Sequence, residues 1–301
     1  MISICIPVYN YYAYPLVRRL SNQIQALKAG DEVEIVCIDD HSTGIYQQQN
    51  KGISDLATFV KLEQNVGRAR IRNLFLKHTK GEWLLFLDDD SQVPENFLKS
   101  YIKHIGSDTQ VIVGGRKYDE RSDDQQHHLR YLYGTKMESK PASQRRQHPY
   151  RSFMTNNFII SREVFESVHF DERITKYGHE DTLFGYQLEQ RNIRIQHIEN
   201  PVVNGNVEDN AEFLHKTVEA VENLVDIYDF MWEDQRFCQT VHLLRVYGRV
   251  RRMGMHRLVY RLYRMLKTPM ESHFVNGTGI SMKQFSFYKL GVFIEKMHYQ
   301  R

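Results

Sequence analysis

Apolar and polar residues follow two alternating patterns along the first half of the chain. Short apolar runs indicate β-strands, and stretches with apolar residues every three or four positions indicate amphipathic helices. Strands are predicted at 2–8, 33–38, 58–62, 82–87 and 111–113, and helices at 15–27, at 67–80 and from Pro94 onward. This alternation predicts an α/β domain with a parallel sheet.

The second half of the chain is less regular. Residues 119–150 are polar and rich in Gln and Arg, which predicts a long loop or lid, with a plain linker as the alternative. Further strands are predicted at 153–160 and 193–198, and helices at 162–167, 180–190, 211–228 and 242–267, the last interrupted at Gly248 and Gly254. The patterns predict one domain at 1–235 and a helical C-terminal region at 236–301.

Composition narrows the class of protein. Hydrophobic residues make up 41% and charged residues 26% of the 301 residues, as in a folded chain. No apolar run reaches the roughly 18 residues of a membrane-spanning helix, and no basic segment precedes the first apolar run, so no signal peptide is expected. Cys5, Cys37 and Cys238 are interpreted as reduced thiols of a cytoplasmic protein, not as disulfide or zinc cysteines.

Charge is distributed unevenly along the chain. Residues 240–301 carry 12 Lys and Arg against 2 Asp and Glu, whereas residues 1–239 carry 28 against 35. Between 245 and 267, eight cations and no acid interleave with apolar residues, which predicts a basic amphipathic helix suited to an anionic membrane surface. The alternative is a helix that packs its apolar face on the protein. Nucleic-acid binding is not expected, because no DNA- or RNA-binding module accompanies the charge.

Polar residues follow four of the predicted strands. In an open α/β sheet, ligands bind at the carboxyl ends of the parallel strands, so these residues predict one binding site. They are Pro7, Tyr9 and Asn10 after the first strand, Asp39 and Asp40 after the second, Asn65 and Gly67 after the third, and Asp88, Asp89 and Asp90 after the strand at 82–87.

The aspartate run at 88–90 carries the most specific signal. Three adjacent carboxylates repel one another unless a cation compensates, and alternate residues of an extended chain let Asp88 and Asp90 converge. Oxygen ligands without cysteine favour Mg²⁺ or Mn²⁺, which bridge to substrate phosphates. The alternative is a solvated acidic loop that caps the following helix.

Two further clusters suggest a nucleotide and its phosphates. The carboxylate of Asp40 could accept a hydrogen bond from a base while Tyr9 stacks on it; the alternative is a turn stabilised by the aspartate side chain. A helix that begins near residue 67 favours an anion at its N-terminus, or else presents an exposed basic face. Its arginines are Arg68, Arg70 and Arg72.

Six motifs in this order resemble family-2 glycosyltransferases of the GT-A fold. They are SICIPVYN at 3–10, IVCIDDHS at 35–42, NVGRARIRN at 65–73, GEWLLFLDDDSQVP at 81–94, TNNFIISREVF at 155–165 and FDERITKYGHEDTLFGYQL at 170–188. The resemblance covers roughly residues 1–230. It implies a Rossmann-like GT-A catalytic domain at 1–235, with a mixed, mainly parallel sheet flanked by helices. Such a domain moves a sugar, with inversion, from a nucleotide-diphospho-sugar to an acceptor hydroxyl.

The resemblance also implies roles for single residues. Asp181 matches the general base, and Glu180 would orient the acceptor, although carboxylates at a helix start can also be simple caps. Asp88 and Asp90 match the DXD motif, whose last Asp contacts Mn²⁺ or Mg²⁺. The residues expected to bind the donor, most often through uridine, are Pro7, Tyr9, Asn10, Asp39, Asp40, Asn65, Gly67, Arg72, Asn73, Asp88 and Asp89.

One position departs from the family pattern. Members often carry a metal-binding His at the end of a segment resembling NPVYH, whereas residues 200–204 read NPVVN and place Asn204 there. An amide oxygen binds Mn²⁺ more weakly than imidazole, so Asn204 is expected to be a weak metal ligand. His197 is out of register and is not expected to be a ligand.

The sequence therefore predicts a metal-dependent transferase that uses a UDP-sugar. Its acceptor would be a glycan or lipid-linked glycan of a bacterial surface polysaccharide or lipopolysaccharide, at the inner face of the membrane. A nucleotidyltransferase would need a Gly-rich, Lys-containing loop after the first strand, and a dehydrogenase would need a G-x-G-x-x-G motif there. This chain has YNYY at 9–12 instead. The alternatives are a nucleotidyltransferase and a catalytically idle, membrane-tethered nucleotide-sugar-binding or scaffold subunit of the same fold, which Asn204 would favour.

Overall fold

The computed structural model describes residues 1–119, 124–205 and 207–298, and the chain divides into two compact units. The first unit takes in Met1–Asp119, Met137–Thr175 and Glu180–Asn206, and the second the intervening segments together with Val207–Arg301. The units interleave along the chain, so the predicted division at 235–236 does not coincide with a boundary between them. That domain assignment stays a prediction.

All described strands belong to the first unit. They are β1 (Ile2–Val8), β2 (Val33–Asp39), β3 (Thr58–Lys61), β4 (Trp83–Leu87), β5 (Ser91–Gln92), β6 (Val111–Val113), β7 (Arg116–Lys117), β8 (Asn157–Ser161), β9 (Ile195–His197) and β10 (Val202–Asn204). Seven of them form a sheet in the order β3-β2-β1-β4-β8-β6-β9. Only β8 runs antiparallel to its neighbours, which confirms the predicted mixed, mainly parallel sheet.

Helices flank this sheet and build the second unit. In chain order they are α1 (Tyr14–Leu27), α2 (Ile45–Gln49), α3 (Arg68–His78), α4 (Phe97–His104), α5 (His128–Tyr133), α6 (Ala142–Arg145), α7 (Arg162–Ser167), α8 (Glu180–Gln190), α9 (Asn210–Met231), α10 (Gln235–Thr240), α11 (His242–Arg252), α12 (His256–Asn276) and α13 (Met282–His298). The helix expected from Pro94 begins at Phe97.

The central strands are apolar on both faces because a helical layer covers each face. Leu84, Leu85, Phe86 and Leu87 of β4 have no exposed surface. Residues of α1 and α4 pack in the cluster on one face, and residues of α3, α7 and α8 pack in the cluster on the other. This three-layer packing leaves the carboxyl ends of β1, β2 and β4 side by side at one edge.

A second, three-stranded sheet lies beyond that edge, in the order β5-β10-β7. Asn204 pairs with Ser91 in the antiparallel register, and Val202 pairs with Arg116 in the parallel register. The sheet therefore fixes Asn204 next to the end of the aspartate run. The sequence analysis predicts none of these three strands, because Ser91–Gln92 and Arg116–Lys117 are polar and Val202–Asn204 has only two apolar residues in a row.

The segment predicted as a long loop or lid contains helices. Its described part includes α5 and α6, and residues 120–123 lie outside the described residues. Two of its arginines, Arg130 and Arg145, hide the pattern because they are buried and hydrogen-bonded. Arg145 is 2% exposed and donates to the carbonyls of Val113, Gly114 and Ile198. A role as a lid stays a prediction.

Helices α9, α12 and α13 form the centre of the second unit. Tyr263, Phe274, Phe285 and Tyr288 are buried there with their rings in edge contact. Gly254 has φ +71° and separates α11 from α12, as predicted. Gly248 does not interrupt a helix as expected, because a single glycine costs only about 1 kcal/mol and α11 continues through it.

Two helical glycines give opposite expectations for alanine. A Cβ at Gly291 of α13 would overlap the ring of Tyr263, whereas a Cβ at Gly248 meets nothing within 4 Å. Gly291→Ala should destabilise the second unit, because overpacking costs about 1–3 kcal/mol against a helix gain of about 1 kcal/mol. Gly248→Ala should stabilise it by up to about 1 kcal/mol. Urea unfolding of both variants measures the difference; equal stabilities would contradict the packing of α12 on α13.

Candidate active site

The three aspartates that follow β4 are held by different contacts. Asp88 Oδ1 accepts a hydrogen bond from Arg72 Nη2 at 2.9 Å, and Asp89 Oδ2 accepts one from the backbone N–H of Tyr9 at 3.1 Å. The backbone carbonyl of Asp90 accepts a hydrogen bond from the N–H of Gly205 at 2.9 Å. Gly205 directly follows β10, so this bond holds the aspartate run against the end of that strand. The run is therefore an ordered part of the site and not a solvated loop.

Electrostatics separate the titration of the first two carboxyl groups. Burial would raise the pKa of Asp88, but the guanidinium groups of Arg72 and Arg68 outweigh it and the pKa lies below its ordinary value. Burial, followed by the charge of Asp90, raises the pKa of Asp89 to about 8. At neutral pH, Asp88 is thus charged and Asp89 is largely protonated.

Arg72 connects the aspartate run to the start of α8. Its side chain is 2% exposed, and Nη1 lies 3.9 Å from Glu180 Oε1 in addition to the contact of Nη2 with Asp88. Its guanidinium lies 5.7 Å from the ring centroid of Phe170. Asn73 fixes the backbone of Phe170. Its Nδ2 donates to the carbonyl of Phe170 at 2.9 Å, and its Oδ1 accepts from the N–H of Phe170 at 3.0 Å. Donor binding by Arg72 and Asn73 stays a prediction.

The two aspartates after β2 shape the adjoining loops. Asp39 Oδ1 accepts from the N–H of Ser42 at 2.8 Å, which is the turn considered as an alternative from the sequence. Asp40 Oδ1 and Oδ2 accept from the N–H groups of Val66 and Gly67 at 2.7 and 3.1 Å. Asp40 therefore orients the loop that starts α3, where Gly67 has φ +82°. Burial raises the pKa of Asp40.

An exposed aromatic ring lies at the end of β1. Tyr9 is 52% exposed, whereas Pro7 and Asn10 beside it are partly buried. Asn10, at φ 49°, accepts from the N–H of Thr43 at 2.9 Å, and Asn65 donates to the carbonyl of Asp40 at 3.2 Å. The ring of Tyr9 is thus the open face of a rigid rim, a geometry that suits stacking on a planar base.

The carboxyl pair at the start of α8 is asymmetric. Glu180 is 6% exposed and lies near both Arg72 and Arg68, at 3.9 and 3.7 Å. Asp181 is half-buried, and its Oδ1 accepts from the N–H of Thr182 at 2.6 Å. Burial, followed by the charge of Glu180, raises the pKa of Asp181 to about 7. A carboxylate with a near-neutral pKa fits the part of a general base.

The residues suggested for a metal ion form an open set. Among the described residues, no three His, Cys, Asp or Glu side chains form a metal-binding cluster. Asp88 is ion-paired, and Asn204 Oδ1 already accepts from Arg116 Nη2 at 3.1 Å. The carboxylate of Asp90 fits Mg²⁺ or Mn²⁺ bound jointly with substrate phosphates, the usual arrangement for an ion held by one or two carboxylates.

His197 has no ring nitrogen left for a metal ion. Its Nε2 lies 2.9 Å from the carbonyl of Pro149, and its Nδ1 lies 2.9 Å from Arg145 Nη1. Because the arginine donates, Nδ1 accepts and Nε2 donates, which is the neutral tautomer. Burial lowers the pKa of His197 to about 4, consistent with this neutral, structural imidazole.

Sequence reasoning missed two residues of the site. Arg116 on β7 hydrogen-bonds Asn204 and also Glu138, whose Oε2 lies 3.3 Å from Nη1. Arg116 follows the strand at 111–113, so the rule that ligands bind at carboxyl ends of strands would have found it. Glu138 lies in the segment predicted as a loop, where no pattern marked it.

The fold and the acidic carboxyl edge of the sheet define an α/β protein of the GT-A class. The model of the family described as glycosyl transferase family 2 matches residues 3–168, more than half of the chain. The chain therefore belongs to glycosyl transferase family 2, which confirms the resemblance seen in the sequence.

Curated relatives share part of the sequence. The chain is 32% identical over 119 residues to poly(ribitol-phosphate) beta-N-acetylglucosaminyltransferase TarP of Staphylococcus aureus (strain N315), covering 38% of this chain and 36% of TarP. It is 25% identical over 210 residues to glycosyltransferase GlyG of Streptococcus pneumoniae serotype 4, covering 62% and 65%. The match thus spans about a third of the length of TarP.

Solved structures share the fold across nearly the whole chain. Residues 1–349 of S. aureus TarS match with a TM-score of 0.51 and 18% identity, covering 99% of this chain and 81% of that chain. The mannosyltransferase PcManGT from Pyrobaculum calidifontis, in complex with GDP-Man and Mn²⁺, matches with a TM-score of 0.57 and 13% identity, covering 100% and 88%. These likenesses confirm the GT-A fold.

Removal of Arg72 should destabilise the first unit far more than removal of its neighbour Arg70. Arg72→Leu leaves buried Glu180 and partly buried Asp88 without their shared cation, and breaking a buried pair costs about 3–5 kcal/mol. Arg70 pairs with Glu172 at 3.9 Å with both side chains about half exposed, so Arg70→Leu should cost less than about 1 kcal/mol. Urea unfolding measures both, and equal losses would contradict the central place of Arg72.

Proposed function

We propose that this protein is an inverting glycosyltransferase that moves a sugar from a nucleotide-diphospho-sugar, UDP-linked, to an acceptor hydroxyl in bacterial surface polysaccharide biosynthesis. The observation that carries the proposal is the connection of Asp88 to Glu180 through buried Arg72. It holds the aspartate run, suited to the donor phosphates, in a fixed relation to Asp181, suited to the acceptor.

The residues divide the reaction between them. Tyr9 would stack on the base at the open rim, and Asp90 would face the diphosphate. Asp181 would take the proton of the acceptor hydroxyl as its oxygen attacks the anomeric carbon from the side opposite the diphosphate. A general base of this kind contributes about 10²–10⁴-fold. Single displacement then inverts the anomeric centre.

A divalent ion completes the donor site in this proposal. Asp90 would hold Mn²⁺ or Mg²⁺ together with the donor phosphates, and the bound ion would neutralise the departing diphosphate. The Mn²⁺ of the PcManGT complex supports this cofactor. Two other proposed ligands already have cationic partners in the structure, Asp88 with Arg72 and Asn204 with Arg116.

Relatives support the donor and acceptor classes. TarS has been solved in complex with UDP-GlcNAc, and the names of two curated relatives describe transfer to poly(ribitol-phosphate). PcManGT binds GDP-Man, so GDP is the alternative base. A hydroxyl-rich glycan or polyol phosphate, free or lipid-linked, is the acceptor class that we propose.

Asp181→Asn should separate transfer from donor binding. Nucleotide release from UDP-GlcNAc with a poly(ribitol-phosphate) acceptor should fall at least 10²-fold, while UDP with Mn²⁺ should raise the melting temperature as in the wild type. Asp90→Ala should instead lose the UDP shift, and exposed Asp55→Asn is the matched control. Wild-type transfer should decline as the pH falls below about 7, because Asp181 is then protonated.

Two outcomes would contradict the proposal. Transfer by Asp181→Asn at the wild-type rate would remove Asp181 as the base. A UDP or GDP shift without turnover of either nucleotide-sugar in the wild type would favour the idle nucleotide-sugar-binding subunit.

As an internal check, Asp181→Asn should be more stable than the wild type at pH 8 but not near pH 4, since burial destabilises only the charged carboxylate.

The helix α12 offers a surface for an anionic membrane. It buries Tyr263, Met270 and Phe274 but leaves a second apolar stripe exposed. The stripe comprises Leu258, Leu262, Met265 and Leu266, and the exposed arginines beside it are Arg257, Arg261 and Arg264. A parallel basic and apolar stripe suits interfacial binding. Within 1–119, 124–205 and 207–298, no helix is both long and apolar enough to cross a bilayer.

Vesicle binding tests this surface. Replacing its three arginines by Gln should lower partition onto vesicles with anionic lipid by about two orders of magnitude, since each charge contributes about 1 kcal/mol. Replacing three exposed lysines of the first unit by Gln changes net charge equally and should have little effect. These controls are Lys77, Lys80 and Lys103. Equal loss in both triple variants, or no loss, would contradict the α12 surface.

A further inference from the structure

Arg116 is held in one orientation by two acceptors. Its Nη2 donates to Asn204 Oδ1 at 3.1 Å and its Nη1 to Glu138 Oε2 at 3.3 Å, while its guanidinium lies 5.6 Å from the ring centroid of Tyr118. Tyr118 in turn donates its hydroxyl to Glu138. The Arg116 side chain keeps 13% of its surface exposed, so the fixed cation is not fully enclosed.

This cation lies at the short sheet that follows the aspartate run. Arg116 is on β7, beside β10 with Asn204, and Asn204 in turn pairs with Ser91, the residue directly after the aspartate run. The charge of Arg116 contributes to the lowered pKa of Asp88, and the charge of its partner Glu138 contributes to the raised pKa of Asp181.

The contact with Arg116 argues against metal ligation by Asn204. Its amide oxygen faces a guanidinium 3.1 Å away, and a divalent ion on the same oxygen would meet a like charge. A histidine at this position would bind the ion through a neutral ring nitrogen. An asparagine oxygen instead provides the acceptor that a guanidinium requires.

We propose that Arg116 binds the leaving diphosphate of the donor and that Asn204 positions Arg116 instead of ligating a metal ion. This inference rests on the proposed transfer reaction. As the acceptor oxygen bonds to the anomeric carbon, the bond from that carbon to the phosphate oxygen breaks and its electron pair stays on that oxygen. The acceptor proton passes to Asp181. A preorganised guanidinium stabilises the growing phosphate charge, and its planar fork matches two phosphate oxygens.

Nucleotide affinity measured with and without metal tests the assignment. UDP and GDP are titrated calorimetrically into Arg116→Gln, Asn204→Ala and wild type, once in EDTA and once at saturating Mn²⁺. Lys117→Gln, the next residue on β7 and exposed, is the matched loss of one charge. Arg116→Gln should weaken binding about tenfold or more in both conditions, as charged hydrogen bonds contribute about 1.5–3 kcal/mol. Asn204→Ala should lose less in the same direction, and Arg116→Lys should restore part of the affinity.

The outcomes separate the two assignments. If Asn204→Ala leaves the affinity in EDTA and at saturating Mn²⁺ unchanged but raises the Mn²⁺ concentration needed for binding, Asn204 is a metal ligand and the inference fails. Wild-type affinity of Arg116→Gln, or an equal loss in Lys117→Gln, also overturns it. If the wild type binds neither UDP nor GDP under any condition, the proposed function itself fails.

Discussion

The site is organised around one buried guanidinium that two distant carboxylates share. Arg72, on α3, is 2% exposed and meets Asp88 after β4 and Glu180 at the start of α8. A buried cation is costly unless its partners are fixed, so α3 must lie where both carboxylates reach it. Asn73 adds two hydrogen bonds to the backbone of Phe170, which fixes the segment before α8. Asp88 begins the aspartate run and Glu180 directly precedes Asp181. The contacts of Arg72 with Asp88 and Glu180 therefore set the spacing between the run and Asp181.

Three successive carboxylates remain together because each has a different environment. Asp88 is held charged by guanidinium groups, whereas burial raises the pKa of Asp89 to about 8. The N–H of Tyr9 binds Asp89 and so joins the ends of β1 and β4. At the same edge of the sheet, Asp40 accepts hydrogen bonds from the loop before α3 and holds that loop in place. The aspartates after β2 and β4 thus organise the edge even before any ligand is considered.

Much of the first unit could be predicted from the sequence, since its strands and helices have clear apolar periodicity. The strands at 2–8 and 111–113 and the helix at 180–190 have the bounds that the structure shows. Three features were not predicted from the sequence. The strands β5, β7 and β10 contain no apolar run of the kind that marks β6, and the residue type of Arg145 suggests an exposed side chain although it is buried. The pairing of Arg116 with Asn204 joins residues 88 positions apart, a contact that no local pattern encodes.

Charge around Asp181 determines when the proposed base is ready. Burial and the charges of Glu180 and Glu138 together raise its pKa to about 7. A donor diphosphate would bring further negative charge to the same edge and hold the proton more tightly, whereas a cation beside the diphosphate would release it. The pKa that governs kcat therefore reports the charge balance of the donor complex, and the one that governs kcat/KM reports the free protein. A fixed cation near the phosphates serves both steps, because it binds the leaving group and keeps Asp181 able to accept a proton near neutral pH.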